Sequence, residues 1–232
     1  MRMLLTSGGL SHGPVLDTLE ELLGKPVADS RIAFVIDAIL PFPGDSSMLL
    51  KHLAAHHDLG WAEFDVVSLL GGPRSVIESR LRSADVVLGY GGSNHWLAHA
   101  WHASGLVPAL ERIVEEQVYV GFSAGSMIFS KHHAAFVDAF DDQEEVDMLE
   151  LETVEPALPL FDWFPLCHLG ASWQPPDAVE QVGASTARLG APTWFLDDRS
   201  ALLVREAAAE PEVVSDGHWF RFDASGRIAD SR

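Results

Sequence analysis

An α/β fold, with a mostly parallel sheet and helices on both faces, is what this chain predicts, and three observations carry the prediction. Strand-like and helix-like patterns alternate over the first 130 residues. Two of the strand-like runs end in glycine-rich turns, at 89–94 and 121–125. The residues from 213 onward read as a terminal β-hairpin. Alternation of this kind requires crossover helices, and these cover both faces of a parallel sheet.

In chain order, Met3–Ser7 reads as a strand that runs into Gly8-Gly9, with a helix near Pro14–Leu23. Arg31–Ile36 is a second apolar run. Pro41-Phe42-Pro43-Gly44 is a loop, after which Asp45 is placed to cap a helix reaching Asp58. Phe64–Leu69 and Asp85–Gly89 read as strands, separated by a helix over Pro73–Ser83. Helical stretches at His95–Ser104 and Leu106–Glu116 lead to a strand at Val118–Gly121, and a helix over Ser126–Lys131 follows. Asp138–Glu155 is strongly acidic and reads as an exposed loop or short helix. Phe161–Leu169 is an aromatic-rich strand candidate, Pro176–Leu189 a helix, and Thr193–Leu196 and Ala201–Val204 short strands around Asp197-Asp198-Arg199-Ser200. Val213–Phe222 with Asp223-Ala224-Ser225-Gly226 supplies the hairpin. No internal repeat or linker divides the chain, so residues 1–232 are expected to form one domain.

Composition narrows the functional classes. The 232 residues are 47% hydrophobic, enough for a sizeable core, and 34 acidic against 15 basic residues give a net charge of −19. Such a charge argues against nucleic acid and anionic membranes as partners. No apolar stretch approaches the roughly 20 residues that cross a bilayer. The single Cys167 rules out an intrachain disulfide and fits a reducing compartment, so a cytoplasmic protein is expected. Oligomeric state stays open, a homodimer being one option. His52 and His56 are spaced i,i+4, but no acid or cysteine accompanies them, so neither a metal nor a cofactor is expected.

The chemistry concentrates at Gly121-Phe122-Ser123-Ala124-Gly125, a Gly-x-Ser-x-Gly elbow in which a serine sits on a tight strand-to-helix turn. Its small residues suit a crowded backbone, and the Ala124 N–H would face a developing oxyanion. A serine nucleophile needs a base and an orienting acid. Of 11 histidines, only His168 and His218 lie well beyond the elbow on strand-like segments. His168 ends the run Trp163–Cys167, and Asp197 and Asp198 follow Trp194-Phe195-Leu196 at another strand end. The order Ser123, His168, Asp198 differs from the Ser, acid, His order of α/β-hydrolases. An esterase of that type would need His218, in the hairpin, as base.

Three blocks make the chain resemble the dipeptidase E (aspartyl dipeptidase) and cyanophycinase family of serine peptidases. Gly89-Tyr90-Gly91-Gly92-Ser93-Asn94-His95-Trp96-Leu97 is similar to that family's Gly-Gly-Asn-Thr-Phe-x-Leu segment, Gly121–Ser126 to its Gly-Trp-Ser-Ala-Gly-Ala elbow, and Leu196–Ala201 to its strand-end acidic segment, where the acid is Glu. The resemblance implies a flavodoxin-like or class I glutamine amidotransferase-like fold and a small peptide substrate with an N-terminal Asp as one option. It also implies Ser123 as nucleophile, His168 as base, Asp198 (with Asp197 as the alternative) as acid, and Gly92 and Ala124 as oxyanion donors, with Ser93 and Asn94 lining the substrate pocket. Two other readings stand beside it: the His218 esterase, and a non-catalytic amidotransferase-like binding module.

Overall fold

The computed structural model describes every residue except His12. Its first half alternates β1 (Met3–Thr6), α1 (Pro14–Leu23), β2 (Arg31–Val35), α2 (Ser47–His57), β3 (Glu63–Val67), α3 (Arg74–Ser83) and β4 (Val86–Gly89). Two helices, α4 (Asn94–Ala103) and α5 (Val107–Glu116), then precede β5 (Val118–Phe122). Local chemistry sets the boundaries. Pro14 opens α1, where a missing N–H costs nothing, and Gly24 closes it in the left-handed region. The Asp45 carboxylate accepts from the Ser47 N–H and hydroxyl at the start of α2, and the Ser93 hydroxyl accepts from the Trp96 N–H to cap α4.

The main sheet has the order β3-β2-β4-β5-β1, all parallel. Side-chain alternation assigns its two faces. Met3 and Leu5 of β1, Val87 of β4 and Tyr119 of β5 enter one core with Ile77, Leu97, Trp101 and Leu110 from α3, α4 and α5. Leu4, Val86, Leu88 and Val120 enter the other, against Val15 and Leu19 of α1. Strands buried on both faces read as continuous apolar runs, which is why they were legible.

The second half departs from the expected elements in several places. The helix after the elbow, α6, spans only Ala124–Met127. The backbone then turns, and Ser130 bridges to Phe161. A helix not expected from the sequence, α7 (His133–Ala139), precedes the acidic stretch and buries Phe136; the stretch itself holds the short helix α8 (Gln143–Met148) and is largely exposed, with Val146 and Leu149 turned inward. The aromatic run holds only a three-residue strand, β6 (Phe164–Leu166), followed by α9 (Ala178–Leu189). The remaining strands are β7 (Thr193–Leu196), β8 (Ser200–Val204), β9 (Glu212–Ser215), β10 (Trp219–Phe222) and β11 (Ile228–Ser231).

These strands divide between two sheets. β8 and β9 extend the main sheet antiparallel beyond β1, whereas β6, β7, β10 and β11 form a second sheet in the order β11-β10-β7-β6. The terminal hairpin is therefore β10 and β11 around Asp223–Arg227, and Glu212–Ser215 belongs to the other sheet. Asp197–Arg199, between β7 and β8, is one of the three connections by which the chain crosses from one sheet to the other.

Candidate active site

The elbow is built by close backbone approach. A Cβ on Gly125 would lie 1.9 Å from the Gly89 carbonyl oxygen, and one on Gly121 would lie 2.6 Å from the Ser126 Cα. Both positions must therefore lack a side chain. Gly89 in turn leaves room for the Tyr119 hydroxyl, which donates to the Gly125 carbonyl at 2.9 Å. The end of β1 grips the turn from the other side. The Thr6 carbonyl accepts from the Ser123 N–H (3.0 Å) and the Ser126 hydroxyl (2.8 Å), and the Thr6 hydroxyl donates to the Gly121 carbonyl (2.6 Å). Held this way, Ser123 takes φ 52° and ψ −115°, a conformation that costs a non-glycine residue on the order of 1–3 kcal/mol.

His168 follows β6 and also has a positive φ, 67°. Its Nε2 is 2.7 Å from Ser123 Oγ and its Nδ1 is 2.7 Å from Asp198 Oδ1. A carboxylate can only accept, so Nδ1 carries the proton and the bare Nε2 faces the serine hydroxyl. The hydrogen bond from His168 holds the Asp198 carboxyl below its ordinary range, against the opposing effect of burial. Ser7, fully buried at the end of β1, joins the two. Its hydroxyl accepts from the His168 backbone N–H (2.8 Å) and has Asp198 Oδ1 at 2.9 Å as an acceptor. The close approach requires Gly8, on which a Cβ would lie 2.7 Å from that of Asp198.

Asp197 turns elsewhere. Its carboxylate accepts from the Arg199 N–H, the Ser200 hydroxyl and the His218 N–H, fixing the crossover between the sheets. His218 directs Nδ1 at the Arg232 carbonyl, 3.3 Å away. Arg199 and Arg188 are engaged by Asp216 and Asp141. Cys167 packs beside the Ser123 carbonyl, and burial pushes its thiol up to about 12, so it stays protonated.

The Gly91-Gly92 turn lies across from the serine. A Cβ on Gly91 would be 3.2 Å from Ser123 Cβ. Gly92 has φ 132° and packs so tightly on the Asp37–Ile39 turn that a Cβ would meet the Ala38 oxygen at 2.3 Å. Among the described residues, neither the Gly92 nor the Ala124 N–H has an acceptor. Ser93 and Asn94 depart from expectation. Both are buried, Ser93 caps α4, and neither lines the cavity beside Ser123. The reason is a backbone hydrogen bond: the Ser93 N–H donates to the Ala38 carbonyl at 2.9 Å, which holds the chain inward directly after Gly92.

The cavity wall contains residues the sequence did not single out for the site: Ile39, Met48, His52 and Tyr90, together with Phe122. His52 Nδ1 meets the Tyr90 hydroxyl at 2.8 Å, and burial, reinforced by Lys51, keeps its imidazole below the usual range. Its i,i+4 neighbour His56 is a core residue with both nitrogens occupied, by the His52 carbonyl and the Leu10 N–H. A metal-like spacing occurs elsewhere, where His95, Asp142 and Glu145 bring three ligand-type atoms within 4.8 Å of one another. There His95 Nε2 is already hydrogen-bonded to Asp142 at 3.0 Å.

Comparison with known proteins agrees with the resemblance carried by the three sequence blocks. Residues 3–211 match peptidase family S51. A candidate peptidase E from Listeria monocytogenes EGD-e shares the fold, with a TM-score of 0.72 and 19% identity over 93% of this chain and 98% of that one. A peptidase from an acI-B1 Actinobacterium superposes with a TM-score of 0.60 and 16% identity, over 100% of this chain and 96% of the other. No curated protein matches the sequence significantly. With the family match spanning nearly its whole length and an elbow serine at the end of a central parallel strand, the chain belongs to peptidase family S51 and is a serine-type peptidase.

Proposed function

We propose that the chain hydrolyses short peptides through an acyl-enzyme formed on Ser123, with His168 as general base and Asp198 as its orienting acid. The observation that carries this reading is the unbroken run of contacts from Ser123 Oγ to His168 Nε2 and from His168 Nδ1 to Asp198, each 2.7 Å. Serine alone is a weak nucleophile, and a positioned base contributes typically about 10²–10⁴-fold. Ser123 Oγ attacks the peptide carbonyl as its proton passes to His168 Nε2. The C=O bond pair moves onto oxygen, where the N–H groups of Gly92 and Ala124 receive the charge. Each such donor is worth about 3–4 kcal/mol in the transition state. Collapse breaks the C–N bond, and the imidazolium gives its proton to the departing amine. A water molecule, deprotonated by the same imidazole, then attacks the ester and frees the acid and Ser123.

The alternatives receive less support. An esterase using His218 would need that side chain near Ser123, but it lies against the Arg232 carbonyl. A non-catalytic module has no use for a strained serine in contact with an oriented imidazole. Replacing Ser123 with Ala is expected to abolish dipeptide hydrolysis and labelling by a fluorophosphonate, with the fold kept by circular dichroism. Turnover at the wild-type rate in that variant would sink the reading.

A further inference from the structure

Building on Ser123 as the nucleophile, we infer that the residue supplying the attacked carbonyl carries an uncharged apolar side chain, of the size of Leu, Met or Phe, rather than the carboxylate of aspartate. The observation is the cavity beside Ser123 and His168. It measures about 150 Å³ and is walled largely by Ile39, Met48, Tyr90 and Phe122. An apolar cavity of roughly 150 Å³ takes up benzene.

Its position assigns it to the acyl side of the substrate. His168 must hand a proton to the leaving amine, so the leaving residue faces the imidazole. The acyl carbon points its oxygen at Gly92 and Ala124, which turns its side chain toward the wall formed by Tyr90, Gly91 and Phe122.

Charge points the same way. Among the described residues, no lysine or arginine lines the cavity. His52 is the one basic side chain in the wall besides His168, and its burial disfavours the charged form. Arg199 and Arg188, the cations closest in sequence to the acid and base segments, are each held by two hydrogen bonds to an aspartate. Lys51 stands exposed on α2 and is not in the wall. A second cavity of about 210 Å³ continues outward across Ile39, Met48 and Tyr90 and reaches Asp45. Hydrogen bonds from Ser47 keep that carboxyl below its ordinary range, so it is ionised. A substrate carboxylate would lose its water here without gaining a cation, and would face an anion at the mouth. At the rim, Met48 and Leu40 leave 66% and 51% of their surface exposed, apolar area that a substrate side chain would cover.

The test is a panel of Leu-Ala, Met-Ala, Phe-Ala, Asp-Ala and Glu-Ala, assayed with the wild-type chain and with Ser123→Ala as the blank. The best apolar member is expected to exceed Asp-Ala in kcat/KM by at least about tenfold, the scale set by small differences in apolar pockets. Met48→Arg, at an exposed position that tolerates a long side chain, is expected to narrow that ratio about tenfold. Equal or faster cleavage of Asp-Ala or Glu-Ala by the wild type overturns the inference, as does a ratio unmoved by Met48→Arg. Fluorophosphonate labelling of Ser123 without turnover of any apolar dipeptide overturns it while leaving the nucleophile in place. Absence of both labelling and turnover removes the nucleophile itself.

Discussion

The Ser7 hydroxyl lies 2.9 Å from the Asp198 carboxylate oxygen that also receives the His168 ring proton. Ser7 touches no part of the proposed reaction path, yet it bonds to the acid's side chain and to the base's backbone. Its loss would leave His168, at a positive φ, without its backbone anchor. Ser7→Ala is expected to lower kcat about 10–100-fold with KM nearly unchanged, since transition-state alignment suffers more than binding. Steady-state kinetics on any cleaved dipeptide checks this, and a change confined to KM would argue against it.

The neighbouring aspartates separate by role. Asp198→Asn replaces an accept-only carboxylate with an uncharged amide that can also donate, so the His168 tautomer is no longer fixed, and should reduce kcat by up to about 10⁴-fold with little effect on stability. Asp197→Asn instead weakens a carboxylate that accepts from the Ser200 hydroxyl and the Arg199 N–H, and should destabilise by about 1–3 kcal/mol. Denaturant midpoints and turnover measured on both variants distinguish them. Equal losses of activity would mean that the crossover, not Asp198 alone, positions the imidazole.

His133 is fully buried against His95, and burial drops its imidazole to about 3. An unfolded chain takes up this proton near pH 6.5, whereas the folded chain refuses it until about 3. Between those values the unfolded state binds more protons, so stability rises with pH and falls on acidification. The slope from this one group reaches about 1.4 kcal/mol per pH unit. Urea midpoints at pH 7 and pH 5 should differ, and His133→Leu should flatten the difference. Parallel slopes in the two proteins would count against His133 as the titrating group.

Local patterns foretold what local physics decides. The fully buried strands β1, β4 and β5 announced themselves as apolar runs, and the elbow by its spaced glycines. Pairing partners were another matter. β7 and β8 sit three residues apart in sequence but in different sheets, because what they pair with comes from residues 164–166, 3–6 and 212–222. Ser7 was invisible as a site residue for the same reason: a serine ending a strand gains meaning only when Asp198 arrives beside it. Ser93 was readable in hindsight, since serine directly before a helical run is a capping signal. Proximity to Gly91-Gly92 outweighed that signal and gave a pocket position instead. In the acidic segment, Val146 and Leu149 at i,i+3 mark a buried helix face that the surrounding carboxylates obscure.

The place of β1 in the sheet has a consequence for how the molecule comes into being. Met3 pairs with Tyr119 on one side and Val204 on the other, so β1 waits for two strands that follow it at long range along the chain. Contacts so distant along the chain form slowly, because each must close a long loop first. Ser7, Ser123, His168 and Asp198 meet only when that closure is complete. A chain in which β8 has not yet docked on β1 therefore has not brought these four side chains together, and the hydrolysis proposed for Ser123 has to wait for that docking.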